Sequence, residues 1–164
     1  MGISEVVEAE LDSTDWHNRI DDRYHAVVNC VSSASGGIDG YVKSYLNGQQ
    51  SILEWAKSQS IITYVYTSST SVYPQDEGMV VNEEADTSNA PPTGRVILES
   101  EQLLAKADFL GRWFVLRLAG IYGPSRHFLL DRLRETNSEV SGSSEYALNM
   151  IHLEDIVGAI CATL

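Results

Sequence analysis

The chain has 164 residues, 43% of them hydrophobic and 21% charged, and a net charge of −12 at neutral pH. That balance suits one soluble globular domain, and the acidity argues against a nucleic-acid backbone or an anionic membrane as partner, because both repel it. No apolar run reaches the ~20 residues of a membrane helix. The opening MGISEVVEAELDSTD has no apolar signal-peptide core, which points to the cytoplasm.

Glu5 to Leu11 is short, acidic and half apolar, a weak strand. Asp12 to Arg23 is polar with Trp16 and Ile20 four apart, the spacing of a short helix. His25 to Val31 (HAVVNCV) is an apolar run that ends in Ser32, Ser33, Ala34, Ser35, Gly36 and Gly37, so a strand meets a flexible turn. From Gly40 to Ser58, apolar residues at Tyr41, Val42, Tyr45, Leu46, Ile52, Leu53 and Ala56 repeat with the period of a helix buried on one face. Ile61 to Tyr66 is β-branched and aromatic throughout, as in a strand covered on both faces. It stops in the hydroxyls Thr67, Ser68, Ser69, Thr70 and Ser71.

Tyr73 to Thr93 reads as a long acidic loop with Pro74, Pro91 and Pro92. Thr93 to Ala107 (TGRVILESEQLLAKA) is a strong helix with Thr93 as N-cap. Trp113 to Ala119 is a buried strand, and Gly120 to Pro124 turns out of it. Arg132 to Asn149 is Ser-rich and polar, hence a loop. Asn149 to Leu164 reads as a short strand and a helix whose apolar positions, Leu153, Ile156, Val157, Ile160, Cys161 and Leu164, repeat at three and four. Cys30 and Cys161 lie in apolar segments and read as small buried hydrophobes. The histidines have no ligand-like spacing, so no metal site is expected.

Strands and helices alternate, which predicts right-handed βαβ units on a parallel sheet. Ligands of such sheets bind at the carboxyl ends of the strands, where Thr67 to Ser71 fall. The competing reading of these hydroxyls is a turn that caps its own backbone.

The ordered motifs YVYTSSTSVYP, a proline-paired acidic loop, GRVILESEQLL, VLRLAGIYGP and NMIHLEDIVGA resemble the extended short-chain dehydrogenase/reductase superfamily. Within it, the chain is similar to the NAD-dependent epimerase/dehydratase group that acts on nucleotide sugars. The resemblance implies an α/β fold with a Rossmann-like, doubly wound parallel sheet. It implies NAD or NADP as cofactor and a small-molecule nucleotide-sugar or carbonyl substrate. It makes Ser69 the catalytic hydroxyl. Cys30, Val31, Ser32, Ser68, Ala119, Gly120 and Ile121 become cofactor contacts, with Glu10 and Leu11 near adenine, and Arg126 and His127 substrate contacts. His152 and Asp155 match the group's HxxD at a strand-to-helix junction, where Asp155 favours the helix dipole.

Three departures stand out. The chain has no GxGxxG, the turn that holds the cofactor pyrophosphate at a helix N-terminus. By analogy with a βαβαβ half, about sixty residues are absent before Met1, so residues 1–164 form a partial domain lacking the first βαβ unit. The group's catalytic Tyr and Lys fall on Thr93 and Ile97, which can neither exchange a proton near neutral pH nor carry charge. Tyr73 and Tyr122 are the remaining phenols that could serve, and packing is their simpler role. A substrate-binding lobe after Leu164 is also absent. On this reading the Val27, Val65 and Leu116 strands hold together and the first ~24 residues pack loosely. The alternative is a non-catalytic scaffold or redox-sensing subunit, and open sheet edges allow a homo-oligomer.

Overall fold

A computed structural model describes residues 5–20, 23–33, 37–127, 131, 134 and 147–164. Strand β2 (Thr63–Ser69) lies at the centre of a parallel sheet, between β1 (Ala26–Asn29) and β3 (Arg112–Leu118). Tyr64, Val65 and Tyr66 have no exposed surface, which is why this stretch is apolar without alternation. Val27 pairs with Tyr64 and Thr67 with Leu116, so the three expected strands share one sheet.

The β1–β2 crossover carries continuous helix from Gly37 to Ala56: α1 (Gly37–Tyr41), a π-helical stretch over Val42–Asn47, and α2 (Gly48–Ala56). It begins three residues before the expected Gly40, because Gly37 at φ 76° opens it. The β2–β3 crossover carries α3 (Pro92–Ala105). These helices pack on one another and on Tyr64 and Tyr66, in a core with Ile52, Leu53, Trp55, Ala56 and Leu104. A second, two-stranded sheet pairs β4 (Gly120–Tyr122) with β5 (Met150–His152), followed by α4 (Leu153–Thr163).

Several local expectations give way. Strand β2 runs three residues past Tyr66, because Thr67, Ser68 and Ser69 pair with Leu116, Arg117 and Leu118; partner hydrogen bonds override the polar composition. Pro91, not Thr93, precedes the first turn of α3, since a proline ring at Pro92 has the helical φ already set. Gly120 to Tyr122 is a strand rather than a turn, drawn out by a partner some thirty residues on. Cys30 and Cys161 are exposed: one lies just past the edge strand β1, the other faces out from α4. That helix buries only Ile156 and leaves Leu153 and Val157 exposed. Most of the loop expected over Arg132–Asn149 lies outside the described residues.

Glu5 to Glu10 forms no strand, and the expected helix near Trp16 reduces to a single 3-10 turn, His17–Arg19. The segment is nonetheless anchored, contrary to the loose packing expected. Trp16 is 6% exposed, its ring lies 5.7 Å from that of Trp55, and its indole N–H donates to the Leu11 carbonyl at 3.4 Å. Leu11 covers Gly48, where a Cβ would come within 2.9 Å of its side chain. A segment with no neighbouring strand is held here by buried aromatic surface instead of ladder hydrogen bonds. Trp16→Ala is therefore expected to lower stability by about 3–5 kcal/mol in urea unfolding; a loss under about 1 kcal/mol would show that residues 5–20 dock without contributing to the fold.

Candidate active site at the carboxyl edge of the sheet

Strand β2 ends at Ser69, whose Oγ accepts the Ser71 N–H at 3.1 Å and so caps the 3-10 turn Thr70–Val72. That turn presses on the first turn of α3. A Cβ on Gly94 would lie 2.6 Å from the Ser71 carbonyl oxygen and 3.2 Å from Val72 Cα. Glycine is required at this position by backbone-to-backbone contact, and it sets α3 directly against the end of β2.

Beneath the edge, four elements meet in one polar cluster. Arg117 on β3 makes a bidentate pair with Glu101 on α3, Nε to Oε1 at 3.0 Å and Nη2 to Oε2 at 2.7 Å. The Ser68 hydroxyl donates to Glu101 Oε1, the oxygen that also accepts from Arg117 Nε, at 2.5 Å. Arg117 Nη1 donates to the Tyr73 phenol oxygen at 2.9 Å, with the guanidinium 5.1 Å from the ring centroid. Glu101 is 9% exposed, and its hydrogen bonds hold the Arg117 guanidinium protonated beyond its already high range.

The site residues expected from sequence divide into three groups. Ser69, Ala119 and Gly120 come together in a cleft of about 410 Å³ between the ends of β2 and β3, closed on its far side by Tyr73, Gln75 and Met79. Ser68 does not join them. It is 5% exposed with its hydroxyl committed to Glu101, because alternation along β2 turns it toward α3 while Ser69 faces the other way. Ile121 is paired with Ile151 in the small sheet. Gly120 has a packing reason for its size as well: a Cβ there would lie 2.7 Å from Met150 Sδ.

Cys30, Val31 and Ser32 leave β1 at the same sheet edge but do not line the cleft. Arg126 and His127 follow a turn closed by Gly123 and Arg126, again away from the cleft lining. Glu10 is exposed and its carboxylate is held below its ordinary range by a hydrogen bond from Lys43. His152 caps α4, Nδ1 accepting the Glu154 N–H at 3.3 Å, and Asp155 lies in that first turn as expected. A larger cavity of about 740 Å³ runs along β3 between α3 and α4 and reaches Thr70, Tyr73 and Leu118 at the carboxyl ends. Among the described residues, no cluster of His, Cys, Asp or Glu could hold a metal.

Thr93 lies half-buried in the first turn of α3, and Ile97 is 1% exposed in the core beneath it. Tyr73 does have a cation beside it, which the sequence did not show. That cation already neutralises Glu101, so Tyr73 serves as a brace for the loop.

A parallel sheet with helical crossovers and a hydroxyl-lined cleft at its carboxyl edge defines a Rossmann-like α/β protein. The chain belongs to the NAD dependent epimerase/dehydratase family, whose model matches residues 4–164. Protein YeeZ of Escherichia coli K12 is 34% identical over 138 residues, 84% of this chain and 47% of that protein. The "uncharacterized UDP-glucose epimerase YtcB" of Bacillus subtilis is 27% identical over 148 residues, 85% of this chain and 46% of that protein. The chain thus spans about half the length of the curated relatives it matches. Among solved structures, MoeE5 in complex with UDP-glucuronic acid and NAD superposes with a TM-score of 0.78 at 22% identity, over 96% of this chain and 57% of that one.

The residues present fit the nicotinamide end of a dinucleotide, where small side chains at Ala119 and Gly120 and a free hydroxyl at Ser69 leave room and a donor. The 164 residues contain no GxGxxG turn of the kind that holds a dinucleotide diphosphate.

Removing one partner of the Glu101–Arg117 pair strands a charge away from water. Arg117→Met is expected to cost about 3–5 kcal/mol, and Glu101→Gln in the same background to restore a large part of it. Equal, additive losses in a double-mutant cycle would show that the two side chains do not interact in solution.

Proposed function

We propose that this chain forms the nicotinamide-side half of a dinucleotide site that acts on a nucleotide-sugar or carbonyl substrate, with Ser69 as its catalytic hydroxyl. The observation that carries this reading is the convergence of Ser69, Ala119 and Gly120 on one cleft at the carboxyl edge. Ser69 Oγ accepts from Ser71 N–H, which leaves its own proton free to be donated to a substrate hydroxyl or carbonyl oxygen in the cleft. When bound, NAD or NADP supplies the hydride acceptor or donor. Cys30, Val31 and Ser32 meet the adenosine ribose, and Arg126 and His127 approach the anionic part of the substrate. The protein works in the cytoplasm, and the open edges of β1 and β3 suit a homo-oligomer.

A second reading has one observation in its favour. The position of the family's catalytic lysine is Ile97, and it is part of the core at 1% exposure. No cation stands in that place and Thr93 offers no proton acceptor near neutral pH, so the site would bind a dinucleotide without turnover and serve as a scaffold or redox sensor.

Two measurements separate these readings. In the gene product as the cell makes it, Ser69→Ala should lower kcat/KM on nucleotide sugars about 100-fold or more while dinucleotide affinity changes less than about threefold. Dinucleotide binding with no turnover across nucleotide-sugar and carbonyl panels would favour the second reading and sink the first. For the 164-residue chain itself, titration with NADH and NADPH followed by fluorescence should show binding weaker than micromolar, because nothing replaces the backbone N–H groups and helix dipole of a phosphate turn. Saturation in the low micromolar range would mean that the diphosphate is held elsewhere on this chain.

A further inference from the structure

Three polar side chains are buried together at the end of β1. Gln49 on α2 and Tyr64 on β2 have no exposed surface, and Asn29, the last residue of β1, is 4% exposed. The Gln49 carbonyl oxygen accepts from Asn29 Nδ2 at 2.6 Å and from the Tyr64 hydroxyl at 2.8 Å. Gln49 Nε2 is left without a partner. Asn29 in turn accepts the Val31 N–H on Oδ1 at 3.1 Å, while its backbone carbonyl accepts from Thr67 Oγ1 at 3.2 Å.

Apolar side chains would fill this space without an orphaned amide, so the arrangement is not explained by packing. What it does that an apolar core cannot is hold an acceptor at a fixed place two residues ahead of itself. With Nδ2 held by Gln49 the Asn29 side chain has one orientation, in which Oδ1 ties down the Val31 N–H, while Thr67 holds the Asn29 main chain through its backbone carbonyl. The chain therefore leaves the sheet in a set conformation over Cys30, Val31 and Ser32. Hydrogen bonds to both ends of the Asn29 side-chain amide, in a buried place where they are strong, fix its geometry even though Gln49 Nε2 is left over.

We propose that Asn29, aligned by Gln49, is a positioning residue that shapes the Cys30–Ser32 turn to receive the ribose of the dinucleotide. This rests on the nucleotide reading above. Asn29 itself touches no ligand; it acts through the backbone it fixes.

The test combines a local and a functional measurement. In the 164-residue chain, amide hydrogen exchange at Val31 is compared in the unchanged protein, Asn29→Ala, Asn29→Asp and Tyr64→Phe. Asn29→Ala, which leaves no side-chain acceptor, should speed Val31 exchange more than tenfold beyond any change at Val65 in the centre of the sheet. Asn29→Asp keeps an oxygen for Val31 and can take the spare Gln49 Nε2 as donor, so it should retain the protection. Tyr64→Phe removes the phenol hydrogen bond to Gln49 but leaves the Asn29 Oδ1 contact to Val31, and should leave Val31 within about threefold of the unchanged protein. In the gene product as the cell makes it, Asn29→Ala should weaken NAD binding at least tenfold and Tyr64→Phe less than threefold. Exchange at Val31 that moves only in step with Val65 in every variant would overturn the proposal, as would faster Val31 exchange with unaltered NAD affinity. A gene product that binds no dinucleotide counts against the nucleotide reading instead, and the exchange data then decide whether Asn29 sets the turn.

Discussion

The Glu101–Arg117 pair is the contact on which the arrangement of the site depends. It joins α3 to β3, takes in β2 through Ser68, and reaches the loop after β2 through Tyr73. A pair this deeply placed, with Glu101 and Arg117 side chains 11% and 20% exposed, carries a desolvation cost that only complete hydrogen bonding offsets. Here the bonding is nearly complete: the planar guanidinium meets both carboxylate oxygens and spends a further N–H on the phenol, and the carboxylate takes a hydroxyl besides. The same completeness makes it intolerant. An element that shifts by an ångström breaks several charged contacts at once, so the pair fixes the depth and rotation of α3 over the sheet.

That placement has consequences at the sheet edge. With α3 set by Glu101, its first turn lies on Ser71 and Val72, and only glycine at position 94 permits the approach. The Ser69-capped 3-10 turn is thereby held between strand and helix, and the hydroxyl at the end of β2 is presented to the cleft. Tyr73, tied to Arg117, carries the loop that closes the far side of the cleft. The chemistry available at the cleft is correspondingly narrow. A hydroxyl donor is in place, but Thr93 and Ile97 offer neither an exchangeable proton near neutral pH nor a charge.

Two buried polar systems thus frame the carboxyl edge. One, around Glu101, is ionic and joins sheet to helix; the other, around Gln49, is neutral and joins sheet to turn. Tyr64 and Tyr66 lie between them on the same face of β2, and burial pushes both phenols well above their ordinary range. They remain neutral at any working pH, and the edge is held by fixed dipoles and one ion pair rather than by groups that titrate.

Much of the fold was legible in the amino-acid sequence because its signals are local. The apolar run through Tyr66 needed a place between two strands, the spacing from Tyr41 to Ala56 needed a helix, and Pro91–Pro92 marked where α3 begins. The ordered motifs carried the family, and with it Ser69, Ala119 and Gly120 as neighbours. What sequence patterns left open was decided by partners distant in the chain. Thr67 to Ser69 are strand because β3 pairs with them, and Gly120 to Tyr122 are strand because Met150 to His152 do. Ser68 and Ser69 are chemically alike and adjacent, yet the pleat sends one to Glu101 and the other to the cleft. Asn29, Gln49 and Glu101 carried no motif of function, since a buried polar residue declares itself only when its hydrogen-bond partners are in view. Local periodicity determined which segments became strands and helices; tertiary contact decided which polar groups were buried, which were paired, and which were left to face a ligand.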